Sequence, residues 1–231
     1  MNIEISASRI AKLTLWITFG LTVIFLALKA INYFVDHRLV SFATRLFEFR
    51  YEGIFQTWFS TLLLLFASLL CLVIALAIYK SKGPFLWYWA LLSCVFLFLA
   101  MDEALVIHEQ FSRVSKIFVQ TDIGIFTYAW VIPYGVFTMI FIAFFSKFII
   151  NIRPEIRVLF VLGIGLFILG ALGFEMLGAH YDRHFNQEDL WWFAISSTEE
   201  VLEMIGVGII NYSLLRYLNL EFPVLQIRFT L

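Results

Sequence analysis

Charged side chains are scarce in this chain, at 14% of its 231 residues, whereas 62% of the residues are hydrophobic. A soluble domain has about one quarter charged residues and about one half apolar ones. Such an excess of apolar residues cannot be hidden in one soluble core, so part of the surface must face lipid. The sequence therefore predicts an integral membrane protein whose first partner is the lipid bilayer.

The signatures of several common function classes are also missing. The net charge is −1 and the chain has no Lys/Arg run, so we expect no nucleic-acid partner. Zinc-finger spacing, a P-loop and a GxGxxG fingerprint are absent from the sequence. Cys71 and Cys94 both lie in apolar runs, and we interpret them as small buried hydrophobic residues.

Six stretches are long and apolar enough to cross a hydrocarbon core of about 30 Å. They cover residues 13–35, 57–79, 85–108, 126–149, 158–180 and 191–216. The sequence has no internal repeat and no sign of a second domain. We therefore predict an all-α, polytopic membrane helix bundle of about six transmembrane helices, in one domain over residues 1–231. A shorter amphipathic segment, 39–50, is predicted to lie on the interface.

All seven tryptophans fall near the proposed start of a span. An amphipathic indole prefers the level of the lipid head groups, so this distribution supports the six boundaries. The pattern predicts an interfacial position for each of these residues: Trp16, Trp58, Trp87, Trp89, Trp130, Trp191 and Trp192.

An even number of spans places both termini on the same side of the membrane. That side carries nine of the sixteen basic residues, and the bias is clearest in the short loops 80–84 and 150–157. Positive residues accumulate in cytoplasmic loops. We therefore predict a multi-pass protein of the plasma (inner) membrane with both termini in the cytoplasm.

The acidic residues are distributed far less evenly than the basic ones. Fourteen of the seventeen, with all four histidines, lie on the side away from the termini or in that half of a helix. Span three ends in MDEALVIHEQ, span five ends in GFEMLGAHYDRH, and span six begins with SSTEEVLEMIG. With a rise of about 1.5 Å per residue, the acids of these three spans lie in one layer.

Burying these acids is costly, because an ionised carboxylate at the bilayer centre costs about 2.5–3.5 kcal/mol. Spans three, five and six carry seven such carboxylates, with Glu175 as the one from span five. The three nearby cations, Arg113, Lys116 and Arg183, are too few to neutralise them. The remaining acids must be protonated, solvated in a cavity or bound to cations. Carboxylates and imidazoles on facing helices hold metal ions in helix bundles, and imidazole favours zinc, iron or manganese. The predicted ligands of such a divalent-metal site are Asp102, Glu103, His108, Glu109, Glu175, His180, His184, Glu199, Glu200 and Glu203.

Helical spacing supports part of this set. On a continuous helix Asp102 and Glu109 share one face, and Glu199 and Glu203 are one turn apart. The glycines of span five allow a close approach to span six, which should bring Glu175 near Glu199 or Glu203. Ordinary roles stay open for other members: Asp102 and Glu103 as the interfacial end of a helix, Glu109 and His184 as loop residues.

The motifs DE-x4-HE at the end of span three and EE-x2-E-x2-G in span six resemble those of a group of small prokaryotic polytopic membrane proteins. This resemblance implies no activity. From the residues, the first hypothesis is a metal-dependent membrane enzyme, a hydrolase or an oxidoreductase, acting on a lipid or a small hydrophobic substrate. A metal-binding sensor or assembly factor without turnover is the second. A cation or proton transporter is the third, because the acids crowd one half of the membrane and no two-fold repeat is present.

Overall fold

A computed structural model describes residues 6–35, 37–48, 54–118, 124–185 and 190–222, with the backbone alone at 113–118, 183 and 190. Throughout these ranges the secondary structure is helical. The α-helices are α1 (Ala7–Phe34), α2 (Arg38–Phe47), α3 (Phe55–Ser81), α4 (Leu86–Leu105), α5 (Ile107–Phe118), α6 (Val131–Asn151), α7 (Pro154–Ile168), α8 (Glu175–His184) and α9 (Leu190–Glu221). A short 3-10 turn, Gly124–Phe126, precedes α6, and a π-helical turn, Leu169–Phe174, joins α7 to α8.

Six of the helical segments are long and apolar enough to span a membrane, which confirms the predicted all-α polytopic bundle. They are Ala7–Phe34, Phe55–Ser81, Leu86–Leu105, Val131–Asn151, Pro154–Asp182 and Trp191–Glu221. Two predicted spans extend past the ends of their helices. The third span stops at Leu105 instead of 108, and the fourth begins at Val131 instead of 126, because the 3-10 turn precedes it. Residues 39–47 of the segment predicted at 39–50 lie in α2, which packs against α1, and residues 49–50 lie outside the described residues.

The centre of the bundle is α9, which packs against α1, α3 and α7. Apolar side chains such as Ile210 and Leu214 are buried there, and Asn211 donates a hydrogen bond to the Leu63 carbonyl at 3.0 Å. The neighbouring helices α3 and α4 are joined by reciprocal hydrogen bonds between Ser68 and Ser93, each hydroxyl donating to the other residue's carbonyl. These buried bonds satisfy polar groups that would otherwise face hydrocarbon.

Glycines bring α7 and α9 into backbone contact. A Cβ atom added at Gly163 would lie 2.8 Å from the Gly206 carbonyl oxygen, and one added at Gly206 would lie 2.6 Å from the Phe167 nitrogen. Only glycine fits such an approach, as is common where membrane helices pack through small residues. The sequence prediction that glycines join spans five and six is thereby confirmed.

The packing of α6 differs between its two ends. On the side of the membrane that holds the chain termini, α6 contacts α4 through large aromatic rings. Tyr88 of α4 stacks on Phe148 of α6 at 5.0 Å and lies 5.8 Å from Phe145 of α6. Toward the opposite end, α4 and α6 both line a cavity. The two helices therefore form a wedge that is closed on the terminus side.

Burial corrects the prediction for the tryptophans. The exposed members are Trp16, Trp58, Trp87 and Trp191, as expected for residues facing lipid or its head groups. The other three, Trp89, Trp130 and Trp192, are buried inside the bundle. Cys71 is buried as predicted, whereas Cys94 is exposed on the outer face of α4.

We predict that Gly163→Ala destabilises the protein, whereas Gly165→Ala, two residues along the same helix, does not. The new methyl at 163 would overlap the α9 backbone, which costs about 1–3 kcal/mol. At 165 a Cβ atom meets nothing within 4 Å, and exchanging a helical glycine for alanine gains about 0.5–1 kcal/mol. Thermal melting of the two purified variants tests this. Equal melting temperatures would contradict the close α7–α9 contact.

Candidate functional site

The helix that carries Asp102 ends in an unusual way. α4 stops at Leu105, and Val106 adopts the left-handed conformation, with φ 55°, before α5 begins at Ile107. A β-branched residue rarely adopts this conformation, so neighbouring groups must hold it. The Asp102 carboxylate does so across the break, because its Oδ1 accepts the backbone N–H of His108 at 2.7 Å.

The same Asp102 oxygen meets two further groups. It accepts a hydrogen bond from the Tyr134 hydroxyl at 3.0 Å, and the His108 ring nitrogen Nδ1 lies 3.5 Å away. The break also corrects the prediction that Asp102 and Glu109 share one face of a continuous helix, because the two residues are on separate helices. Asp102 is buried, whereas Glu109 is exposed.

One cavity of about 600 Å³ lies between α4, α6, the α7–α8 segment and α9. Eight of the ten predicted ligand residues line it, seven of them acidic. We refer to these seven acids as the acidic wall: Asp102, Glu103, Glu109, Glu175, Glu199, Glu200 and Glu203. The eighth residue is His108, so the helices of spans three, five and six face a shared space.

The contact between Glu175 and Glu199 joins two sides of this space. Their side chains are hydrogen-bonded to each other, which confirms the predicted proximity of spans five and six at this depth. Two carboxyl groups in contact cannot both be ionised without cost, so a proton or a cation shared between them is favoured. Glu175 also accepts a hydrogen bond from the Trp130 indole at 3.2 Å.

The π-helical turn helps to place these groups. It inserts an extra residue before Glu175, a feature often found at functional sites. Within it, Gly170 approaches α9 so closely that a Cβ atom would lie 2.8 Å from the Glu199 carbonyl oxygen and 2.8 Å from Cγ of Glu203. Glu203 in turn is within electrostatic range of Glu103, Glu200, Glu175 and His108.

The structure does not bring the other two predicted ligands into this space. His180 and His184 are absent from the cavity wall, and their rings lie 4.4 Å apart near Gly124. His180 is five residues beyond Glu175, which is about 140° around a helix at about 3.6 residues per turn. The two positions therefore face different sides of α8.

Three aromatic residues that hold the acids were missed by the sequence analysis. Trp130 and Tyr134 donate to Glu175 and Asp102, as described above, and the Tyr128 hydroxyl donates to Asp182 at 3.1 Å. Burial and then the Asp182 and Glu175 charges raise the pKa of Tyr128, so this hydroxyl stays protonated and can donate. The only sequence signal was three aromatic residues within seven positions, which is also typical of a membrane interface.

The donor side chains of the cavity are of types that metals accept, but the described residues do not gather them into a ready-made metal site. Among the residues that the structure describes, no three His, Cys, Asp or Glu side chains form a group that could hold one. The wall does supply carboxylate oxygens and one imidazole, the chemical types that zinc, iron and manganese accept. A metal would therefore have to draw side chains together from across the cavity.

Much of the remaining cavity wall is apolar. It includes Val95 and Leu99 of α4, Phe141 of α6 and Ile164 and Phe167 of α7. The cavity thus combines acidic groups with a hydrocarbon-like surface in one continuous space.

Comparison with known proteins gives a family without a function. Residues 14–217 match the family model described as a domain of unknown function, DUF8692. No curated protein and no solved structure matches the chain.

We predict that Asp102→Ala destabilises the protein by about 1–3 kcal/mol, because the buried N–H of His108 loses its acceptor at the helix break. Asp102→Asn should lose less stability, since the amide oxygen can still accept. Gln110→Ala, at an exposed position on α5, is the matched control and should melt like the parent. Equal melting of the alanine variant and the control would show that the carboxylate does not hold the break.

Proposed function

The chain belongs to this family of unknown function, and we propose that it is a metal-dependent membrane enzyme, a hydrolase or an oxidoreductase, with its centre in the cavity. The observation that carries the proposal is the acidic wall together with His108: eight of the ten residues chosen from the sequence as ligands line one space of about 600 Å³.

The charge balance of the cavity favours a cation. None of its lining residues that the structure describes is Lys or Arg, and His108 is the only one that can become cationic near neutral pH. Even if Arg113, Lys116 and Arg183 all reached the cavity, seven carboxyl groups would exceed these three cations. A bound divalent ion, with protons on some acids, would lower the cost of this imbalance.

The His108 environment supports a metal ion over protons alone. Metal-binding imidazoles usually have their second ring nitrogen beside a carboxylate, which fixes the ring orientation. In this protein Asp102 lies 3.5 Å from Nδ1 of His108, which leaves Nε2 as the ligand atom. We therefore assign Asp102 to positioning, and His108, Glu175, Glu199 and Glu203 to the metal.

The size of the cavity supports an enzyme over a metal sensor or assembly factor. A volume of about 600 Å³ is in the range of small-molecule sites, about 300–1,000 Å³, and far exceeds the space an ion needs. When bound, the metal would supply Lewis acidity or a redox couple. The wall carboxylates would hold it, and one of them could accept a proton from the substrate or from water.

The structure gives a reason to rank transport last. A pathway across the membrane would need polar groups on the terminus side as well. There the space between α4 and α6 is filled by Tyr88, Phe145 and Phe148, and Trp89 lies 4.7 Å from Tyr217 of α9.

For localisation we propose the plasma (inner) membrane with both termini in the cytoplasm. The basis is the excess of basic residues on the terminus side. The acidic wall would then lie in the half of the membrane away from the cytoplasm.

We predict that the protein, purified without chelator, contains a transition metal, and that Glu175→Gln and Glu199→Gln lower the metal content. Added Zn²⁺, Mn²⁺ or Fe²⁺ at about one hundred times its Kd should stabilise the parent by about 2.7 kcal/mol. Because carboxylates bind metal ions in their ionised form, the apparent affinity should rise with pH. Metal analysis by mass spectrometry and thermal melting give both readouts.

The matched control for this experiment is Glu155→Gln. Glu155 lies on the terminus side, where it pairs with Arg216 at 3.0 Å, and its replacement should leave the metal content unchanged. A parent that carries no metal and whose melting none of the three ions shifts would refute the metal site. The acids would then be a protonated set within a binding cavity.

The orientation is tested by cysteine labelling of intact cells, in a Cys94→Ser background. We predict that a membrane-impermeant maleimide labels Phe185→Cys, on the acidic side, and does not label Lys82→Cys, in the loop before α4. Both positions are exposed. The reverse pattern would place the termini outside the cytoplasm.

A further inference from the structure

The apolar part of the cavity extends away from the acidic wall toward the membrane centre. Its deepest lining residues include Val95, seven residues before Asp102 in α4, and Ile164, eleven residues before Glu175. At about 1.5 Å per residue these positions lie about 10 Å and about 16 Å below the acids. The compartment is therefore elongated along the helices, with its acidic groups at one end.

Beyond Val95, toward the terminus side, aromatic rings that do not themselves line the cavity fill the space between α4 and α6. Tyr88 and Phe148 are stacked with an angle of 4° between their planes, and Phe145 packs on both. An elongated molecule could therefore extend from the acids only as far as this aromatic floor. Its apolar portion would have a limited length.

Two phenylalanines connect the cavity with the outer surface of the bundle. Phe98 of α4 and Phe137 of α6 both line the cavity, and they are 39% and 46% exposed. The neighbouring α6 residues Val136 and Ile140 are exposed as well, as expected for a helix face in contact with lipid. The space between α4 and α6 thus reaches the hydrocarbon region from the side.

We propose that the cavity takes a membrane amphiphile with a single hydrocarbon chain and an amine head group, which enters from the lipid between Phe98 and Phe137. The chain lies in the apolar compartment with its end toward the aromatic floor, and the amine lies at the acidic wall. This inference deepens the proposed function, because it names the substrate class of the same cavity.

Charge and volume select this class over other lipids. The ionised members of the acidic wall repel an anionic head group and attract a protonated amine. A volume of about 600 Å³ suits one drug-sized molecule, so two acyl chains and a phosphate exceed it. A divalent ion bound at the wall would leave its net charge negative when most of the acids are ionised.

The first experiment compares head groups on one chain, with the parent protein held in amphipol so that no detergent competes. Dodecylamine, dodecanol and dodecanoate are titrated, and bound molecules are counted by native mass spectrometry. Dodecylamine should bind one to one and at least about tenfold more tightly than dodecanoate, a difference of about 1.4 kcal/mol. Equal binding of the three, or tighter binding of dodecanoate, would overturn the assignment of the head group.

The second experiment tests the position of the chain with Val95→Trp, which raises the floor of the compartment. This variant should lose at least about tenfold in affinity for dodecylamine, which is about 1.4 kcal/mol, and keep its affinity for octylamine. Leu97→Trp is the matched control, because Leu97 is exposed on α4 and absent from the cavity wall. Ile164→Phe replaces Val95→Trp if the latter does not fold. If a folded Val95→Trp or Ile164→Phe variant binds dodecylamine and octylamine with the same relative affinity as the parent, the hydrocarbon chain does not lie in the apolar compartment.

Both experiments are run on chelator-treated and on metal-loaded protein, so that failure of the metal site and failure of the amphiphile site are distinguishable. A chain-length shift without any bound metal would support the amphiphile and refute the metal. Bound metal without the chain-length shift would support the metal site and refute the amphiphile site.

Discussion

Carboxyl groups on apolar helices must be kept from hydrocarbon, since each ionised group at the bilayer centre costs about 2.5–3.5 kcal/mol. Three local features serve this constraint. The break at Val106 turns α5 away from α4 while Asp102 closes the gap, the π-helical turn precedes Glu175, and glycines draw α7 against α9. Together they direct most of the acidic wall into one shared cavity, where carboxyl groups can share protons or a cation and aromatic donors can satisfy their oxygens.

The large-scale features were predictable because they follow from composition and spacing. Six apolar stretches gave six spanning helices, and the rise per residue placed the acids of three spans at one depth. The glycines of span five predicted the close contact with span six, and the hydrogen bond between Glu175 and Glu199 agrees with that placement. The orientation in the membrane and the metal remain predictions.

The local features depend on contacts that a single sequence does not display. A valine at positive φ contradicts its own conformational preference, and it is held by an aspartate four residues earlier and a tyrosine 28 residues later. The same holds for Trp130, whose position near a span start suits an interfacial residue but whose indole donates to Glu175. His180 was a different case, since its position around α8 relative to Glu175 could have been read from helical periodicity.

The account depends on a cation bound between the helices that carry Glu175, Glu199 and Glu203. Diffraction from crystals grown with Mn²⁺, measured at the manganese absorption edge, locates such an ion directly. We expect one anomalous peak inside the cavity, with ligand oxygens from both of these helices and Nε2 of His108 at about 2–2.3 Å. An empty cavity, or a peak only at His180 and His184, would contradict it.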